Sequence, residues 1–359
     1  MWRWSMPHPS SPKPKSYLQA PRGIVQPVFI HSQLGASSRY RVEHQKEQCR
    51  PAAGGALLYL HRIPLTSRSL PMVASAKLRR VPVVFDTDDL VWDEREREYN
   101  HLDAHYPPAV VRQILRGTRR MRAMMRLADA LVLSTPYLAQ LAAQRFRQPA
   151  YVNLNALSHE QVALSHRAWQ ARTRRSDAPI IIGYFSGQAK VHDEDVASIA
   201  PALSHVLQHY PHVRLRIYGG LRLLGGLEHQ RFAGQIERRD AVDWRDLPDQ
   251  IAQVDINIAP LIDNPQRRAK SAVKYLEAAA VGVPTVAAKR EPYALIEHGK
   301  TGLLAWPPDE WRDSLAMLIE DGQLRTALGE AARADVLAHH TTSARADSFN
   351  RILEEIARR

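Results

Sequence analysis

The chain has 359 residues, room for two ordinary domains, and its 49 Lys and Arg against 37 Asp and Glu leave a net charge of +12. A single cysteine, Cys49, excludes an internal disulfide and fits a reducing cytoplasm. No apolar run is long enough to cross a bilayer, and the Pro/Ser-rich segment 1–22 has no hydrophobic signal centre and reads as disordered.

The charge is unevenly spread. Residues 1–170 hold 24 Lys/Arg against 12 Asp/Glu, whereas the remainder is balanced. A basic first half suits an anionic partner such as acidic lipid headgroups, nucleic acid or a phosphorylated acceptor. No helix-turn-helix, zinc-finger or RNA-binding aromatic pattern supports nucleic acid, so a membrane surface is the better expectation.

From residue 23 to 164, short apolar runs alternate with helical patterns, which predicts parallel βαβ units. Strands are expected at Ile24–Ile30, Ala56–Leu60, Val81–Phe85, Ala130–Leu133 and Tyr151–Leu154, with a helix near Arg39–Gln48. Ligands of such sheets sit beyond the carboxyl ends of the strands, where this chain has Ser38, Arg39, His61, Arg62, Asp86 to Asp89 and Asn155. Asp86-x-Asp88 reads either as a pair of metal-binding carboxylates or as an acidic turn that caps a helix. Residues 110–126 place six arginines on a helix with an apolar stripe. That helix suits contact with an anionic membrane through Arg112–Arg126, or is a solvated face over buried side chains.

Residues 165–179, Ser165 to Pro179, are polar and basic without apolar period and read as a linker. A second unit over 180–340 is expected to begin with the strand Ile180–Phe185. Ser186 and Gly187 then precede a helix, where backbone N–H groups can face a phosphate, with Lys190 and His192 in reach. His192 reads equally as a surface-loop residue.

The stretch from Asp263 to Leu304 carries the most chemistry. Ser271 is a candidate N-cap, Val273, Leu276 and Ala280 share a helix face, and Gly282 with Pro284 ends the helix. Lys270, Lys274 and Glu277 line up along one side. Two ammonium groups at a helix start suit a diphosphate, and a carboxylate farther along suits sugar hydroxyls. The plainer reading is a solvated Lys–Lys–Glu face.

The segments KSAVKYLEAAAVGVPTVAA, EPY and EHGKTGLL resemble the donor-binding half of GT-B-fold retaining glycosyltransferases of the group 1 family, in a bacterial polysaccharide-biosynthesis branch with a Lys-rich donor loop. The resemblance implies an α/β GT-B fold, two Rossmann-like doubly wound parallel-sheet domains facing a central cleft, with helix 341–359 returning to the first. It implies metal-independent transfer, with retention, from a nucleotide-diphosphate sugar to a glycan or lipid-linked acceptor. No other cofactor is implied. Glu277 matches the second Glu of the family's E-x7-E motif, while Ala269 stands where the first would be.

By the same resemblance, Asp88 faces the reacting carbon, Trp244 or its backbone meets the base, and Tyr293 lies on a cleft loop. Asp263 and Asn264 are the candidates to replace the missing Glu. Between Cys49 and Ala56 only RPAAGG remains where relatives place a further strand and helix, so the first domain looks trimmed. The rival readings are a metal-dependent transferase using Asp86 and Asp88, a non-catalytic nucleotide-binding partner, and a basic membrane- or nucleic-acid-binding protein.

Overall fold

The computed structural model describes residues 27–31, 35–49, 56–172, 178–186 and 192–359. Gly187, Lys190, the segment 1–22 and all of RPAAGG lie outside them. Two all-parallel sheets are present. The first contains β1 (Pro27–His31), β2 (Leu57–His61), β3 (Val83–Thr87), β4 (Ala130–Leu133) and β5 (Ala150–Val152), paired in chain order.

Alternation along these strands gives the first sheet two apolar faces, as expected of a buried parallel sheet. Leu58, Leu60, Val83, Phe85, Leu131 and Leu133 pack beneath the helices Leu70–Leu78, Pro108–Leu127 and Pro136–Arg145. Leu57, Tyr59, Val84, Ala130 and Val132 face the other way, and Phe349, Leu353 and Ile356 of the final helix Thr342–Arg358 cover them.

The second sheet contains β6 (Ile180–Phe185), β7 (Val213–Tyr218), β8 (Ile236–Arg239), β9 (Ile256–Ala259), β10 (Thr285–Ala288) and β11 (Leu303–Ala305). Its order, β11-β10-β9-β6-β7-β8, reverses between β6 and β9. Ligands of doubly wound sheets bind at that switch point, beyond the carboxyl ends of the two strands. Gly219 follows β7 at φ +93°, and a Cβ there would lie 2.1 Å from the Ser186 carbonyl oxygen, so only glycine lets the β6 and β7 ends approach this closely. Among the described residues the first sheet runs in chain order without such a reversal, and helices cover both of its faces.

The expected linker is partly helical. His159–Gln170 forms a helix closed by a Ser158–Gln161 capping box, and Arg172 then donates to the carbonyls of Ala252, Val254 and Gly282 in the second domain. The side-chain to backbone reciprocity of the capping box is invisible to apolar periodicity, which is why the segment read as linker. At the interdomain crossings, Leu157 pairs with Thr341, with N–H···O bonds of 2.9 Å from Leu157 to His340 and from Thr342 to Leu157.

Candidate active site at the domain interface

The lysine helix runs over Val273–Ala280 with Ala272 at its N-cap and no side-chain cap. Ser271 is therefore not the cap. Its hydroxyl accepts from Asn155 Nδ2 of the first domain at 2.9 Å. Gly282 ends the helix at φ +71°, as the sequence predicts. The helix start has no side-chain cap to take its first-turn amides.

Each residue of the Lys–Lys–Glu line reaches a defined partner. Lys270 Nζ lies 2.5 Å from Asp89 Oδ1 of the first domain. Lys274 donates to the Phe185 carbonyl at the end of β6 and stands over the Tyr184 ring, 4.7 Å from its centroid. Glu277 accepts from the Tyr40 hydroxyl at 2.8 Å and lies 3.9 Å from Arg39. Burial pushes Lys274 down to about 8, with Glu277 opposing. Burial also raises the Glu277 carboxyl, against Tyr40 and Arg39. A solvated face would have none of these partners.

On the facing side, Arg62 lies 3.6 Å from Asp88 and 3.2 Å from Asp89, and Ser37 donates to Asp88 at 2.6 Å. Burial alone would raise Asp89, yet Lys270 and Arg62 hold it down at about 2. Asp88 and Asp89 are both half-buried at the cleft.

Asp86 does not face an acceptor. It is fully buried, and both oxygens are occupied: Arg41 contacts them at 3.1 and 2.5 Å, His61 Nδ1 at 2.9 Å, Tyr59 at 2.9 Å and Gln45 at 3.2 Å. Burial opposes ionisation here too, but Arg41 and His61 keep the carboxyl at about 2. The cluster instead holds His61, whose Nε2 lies 3.1 Å from Ser37 Oγ in the site.

Four further expectations are corrected. Ser38 is buried and its hydroxyl donates back to the Gly35 carbonyl at 3.0 Å, leaving Ser37 as the serine of the site. Tyr293 is buried in the second-domain core. Asn264 caps the short helix Pro265–Arg268 and donates to the Tyr99 carbonyl at 3.1 Å, while half-exposed Asp263 pairs with Arg290 at 3.3 Å. Neither stands in for the missing Glu by contact with the lysine line. His192 is no free loop residue: Nδ1 lies 2.7 Å from buried Asp195, and burial lowers its pKa to about 4 against that carboxylate.

Trp244 does reach the interface, held between Arg39 at 4.7 Å and Arg245 at 4.4 Å from its ring. Ser186 stays buried at the end of β6. Ala269 is fully buried within the first-domain apolar cluster, so the position of the first motif Glu serves domain packing.

Sequence reasoning missed Tyr40 and Arg41. Both lie in a π-helical turn, Arg39–Glu43, which sends Tyr40 across to Glu277 and Arg41 inward to Asp86. Such turns recur at functional sites, but residue spacing does not reveal them.

Comparisons with known proteins bear on the fold. Residues 200–351 match the model of a family described as "Glycosyl transferase-like". An 84-residue stretch is 36% identical to a D-inositol 3-phosphate glycosyltransferase of Corynebacterium jeikeium, and covers 23% of this chain and 20% of that relative. The chain is similar in structure to HepE of Anabaena, solved with UDP and glucose, at a TM-score of 0.53 and 19% identity over 83% of this chain and 77% of that one. It is also similar to sucrose-phosphate synthase from Thermosynechococcus elongatus, at 0.56 and 14% identity, covering 84% and 73%. At such identities the structural likeness establishes the fold, which is GT-B. The family match covers 152 of the 359 residues, all in the C-terminal part of the chain.

Proposed function

We propose that the chain moves a sugar from a nucleotide-diphosphate donor to a glycan or lipid-linked acceptor, with retention and without a metal. The observation that carries this reading is the pairing of Lys270 and Lys274 at an uncapped helix start, beside the β6 end of the switch point and opposite Asp89. Charge develops on the departing diphosphate, and preorganised cations there lower the barrier most. HepE, solved with UDP and glucose, supports a nucleotide sugar as donor. Metal independence draws support from Asp86, whose oxygens are occupied by four side chains, so that Asp86 and Asp88 do not form a free carboxylate pair.

A thermal-shift panel of UDP, GDP, ADP and TDP on wild type and Lys270→Ala tests the donor site. A nucleotide at about 100 times its dissociation constant adds about 2.7 kcal/mol. No response to any of the four sinks the proposal, and loss of transfer in EDTA removes metal independence. Buried Ala269 favours a second reading, nucleotide binding without catalysis. Transfer or donor hydrolysis by the purified chain decides between the two.

A further inference from the structure

The arginines of the helix Pro108–Leu127 fall into two sets. Arg119 and Arg122 both pair with Glu94, at 2.7 and 2.6 Å. Arg112, Arg116 and Arg120 are exposed, and among the described residues they have no carboxylate partner. At i, i+4 and i+8 they form one stripe, with roughly 6 Å of helix rise between successive members. Like charges at this spacing repel, and an anion lying between them would relieve that repulsion.

The stripe lines a groove of about 450 Å³, with Pro64 and Thr66 on the opposite wall and Gly117 between Arg116 and Arg120. The walls are tied together, because Leu65 N donates to the Arg120 carbonyl at 3.1 Å. Gly117 in mid-helix is a poorer helix former than alanine, and it adds no side chain to the groove. The opposite wall is also anchored at the cleft. Pro64 follows Arg62 by two residues, so their Cα atoms are at most about 7 Å apart. Arg62 itself contacts Asp88 and Asp89.

We propose that this groove binds a phosphate or diphosphate group carried by the acceptor. Arginine forks match phosphate oxygens two at a time, and three of them along the groove suit more than one phosphate oxygen cluster. A concave site with tied walls fits a discrete anion better than a flat layer of headgroups. The word acceptor rests on the glycosyltransferase reading, but anion binding does not.

The test is a calorimetric titration of the full chain with inorganic pyrophosphate, without and with saturating UDP. The second condition fills the donor site. With UDP present, wild type should still bind pyrophosphate saturably, and Arg112→Gln/Arg116→Gln/Arg120→Gln should weaken it at least tenfold. Arg119→Gln/Arg122→Gln should leave it unchanged. Should the triple variant unfold, the exposed single change Arg116→Glu is read in its place.

Equal affinity in wild type and the stripe variant overturns the groove. Flotation with phosphatidylglycerol vesicles separates the sources. If vesicle binding falls in the stripe variant while pyrophosphate binding does not, the stripe is a membrane contact and the acceptor-phosphate proposal is wrong. Failure of UDP alone to bind counts against the donor reading and leaves the pyrophosphate result standing by itself.

Discussion

The second domain meets the cleft with Lys270, Lys274 and a bare helix start, whereas the first meets it with Asp88 and Asp89, backed by Arg62. One side is shaped for an anion and the other already supplies one. The Asp89 carboxylate sits on the Lys270 ammonium, so an anion that bound there would replace one that the chain already supplies. The two sides also differ in how they are held. Lys274 stands in the first turn of the helix and Lys270 in the segment before it, each held by one hydrogen-bond acceptor, while the carboxylate side rests on the buried Asp86 cluster drawn from three separate segments.

The largest effect tests that support. Asp86→Ala leaves the Arg41 guanidinium buried without its carboxylate, which should destabilise the fold by about 3–5 kcal/mol in denaturant unfolding. The pH dependence has a defined sign. Asp86 titrates at about 2 in the folded chain against an ordinary 3.8, so its stabilisation is complete above about 3.8 and is lost as pH falls through 2. An acid transition that is the same in Asp86→Asn and wild type would contradict the cluster.

Next in size is Lys270→Ala. Loss of one charge-assisted contact to the diphosphate, about 1.5–3 kcal/mol, should lower kcat/KM by roughly 10- to 150-fold. Steady-state kinetics with the donor identified by the nucleotide panel would show it. Asp89→Asn should move donor binding the other way, because a partly exposed ion pair of about 1 kcal/mol no longer competes. Nucleotide affinity should rise a few-fold by calorimetry, and a fall would mean Asp89 holds Lys270 in place rather than blocking it.

The smallest effect concerns Lys274. With its pKa lowered to about 8, its ammonium is charged below that value and neutral above it. Nucleotide affinity should decline a few-fold between pH 7 and 9, and Lys274→Arg, charged throughout, should flatten the decline. A decline unchanged in that variant would place the titrating group elsewhere.

Much of the architecture could be read from sequence because it depends on local patterning. Ile180–Phe185 and Ala130–Leu133 are strands over the residues the apolar runs predict, and Gly282 stops the lysine helix as its φ preference requires. Lys274 and Glu277 could be aligned because helical spacing puts them on one side, whereas Lys270 precedes the helix and is placed by its contact with Asp89. The short strands Ile236–Arg239 and Leu303–Ala305 were not legible, since three or four residues with charged or mixed neighbours give no periodic signal.

What sequence by itself determined was therefore the two-sheet α/β class, the lysine helix and the uneven charge. Tertiary structure alone decided that Asp86 is enclosed while Asp88 and Asp89 face the cleft, that Ser37 rather than Ser38 enters the site, and that Tyr293 is core. The physical reason is that a polar side chain's role follows from which partners desolvate and bond it. For Asp86 those partners, Arg41, Gln45, Tyr59 and His61, come together only when the chain folds.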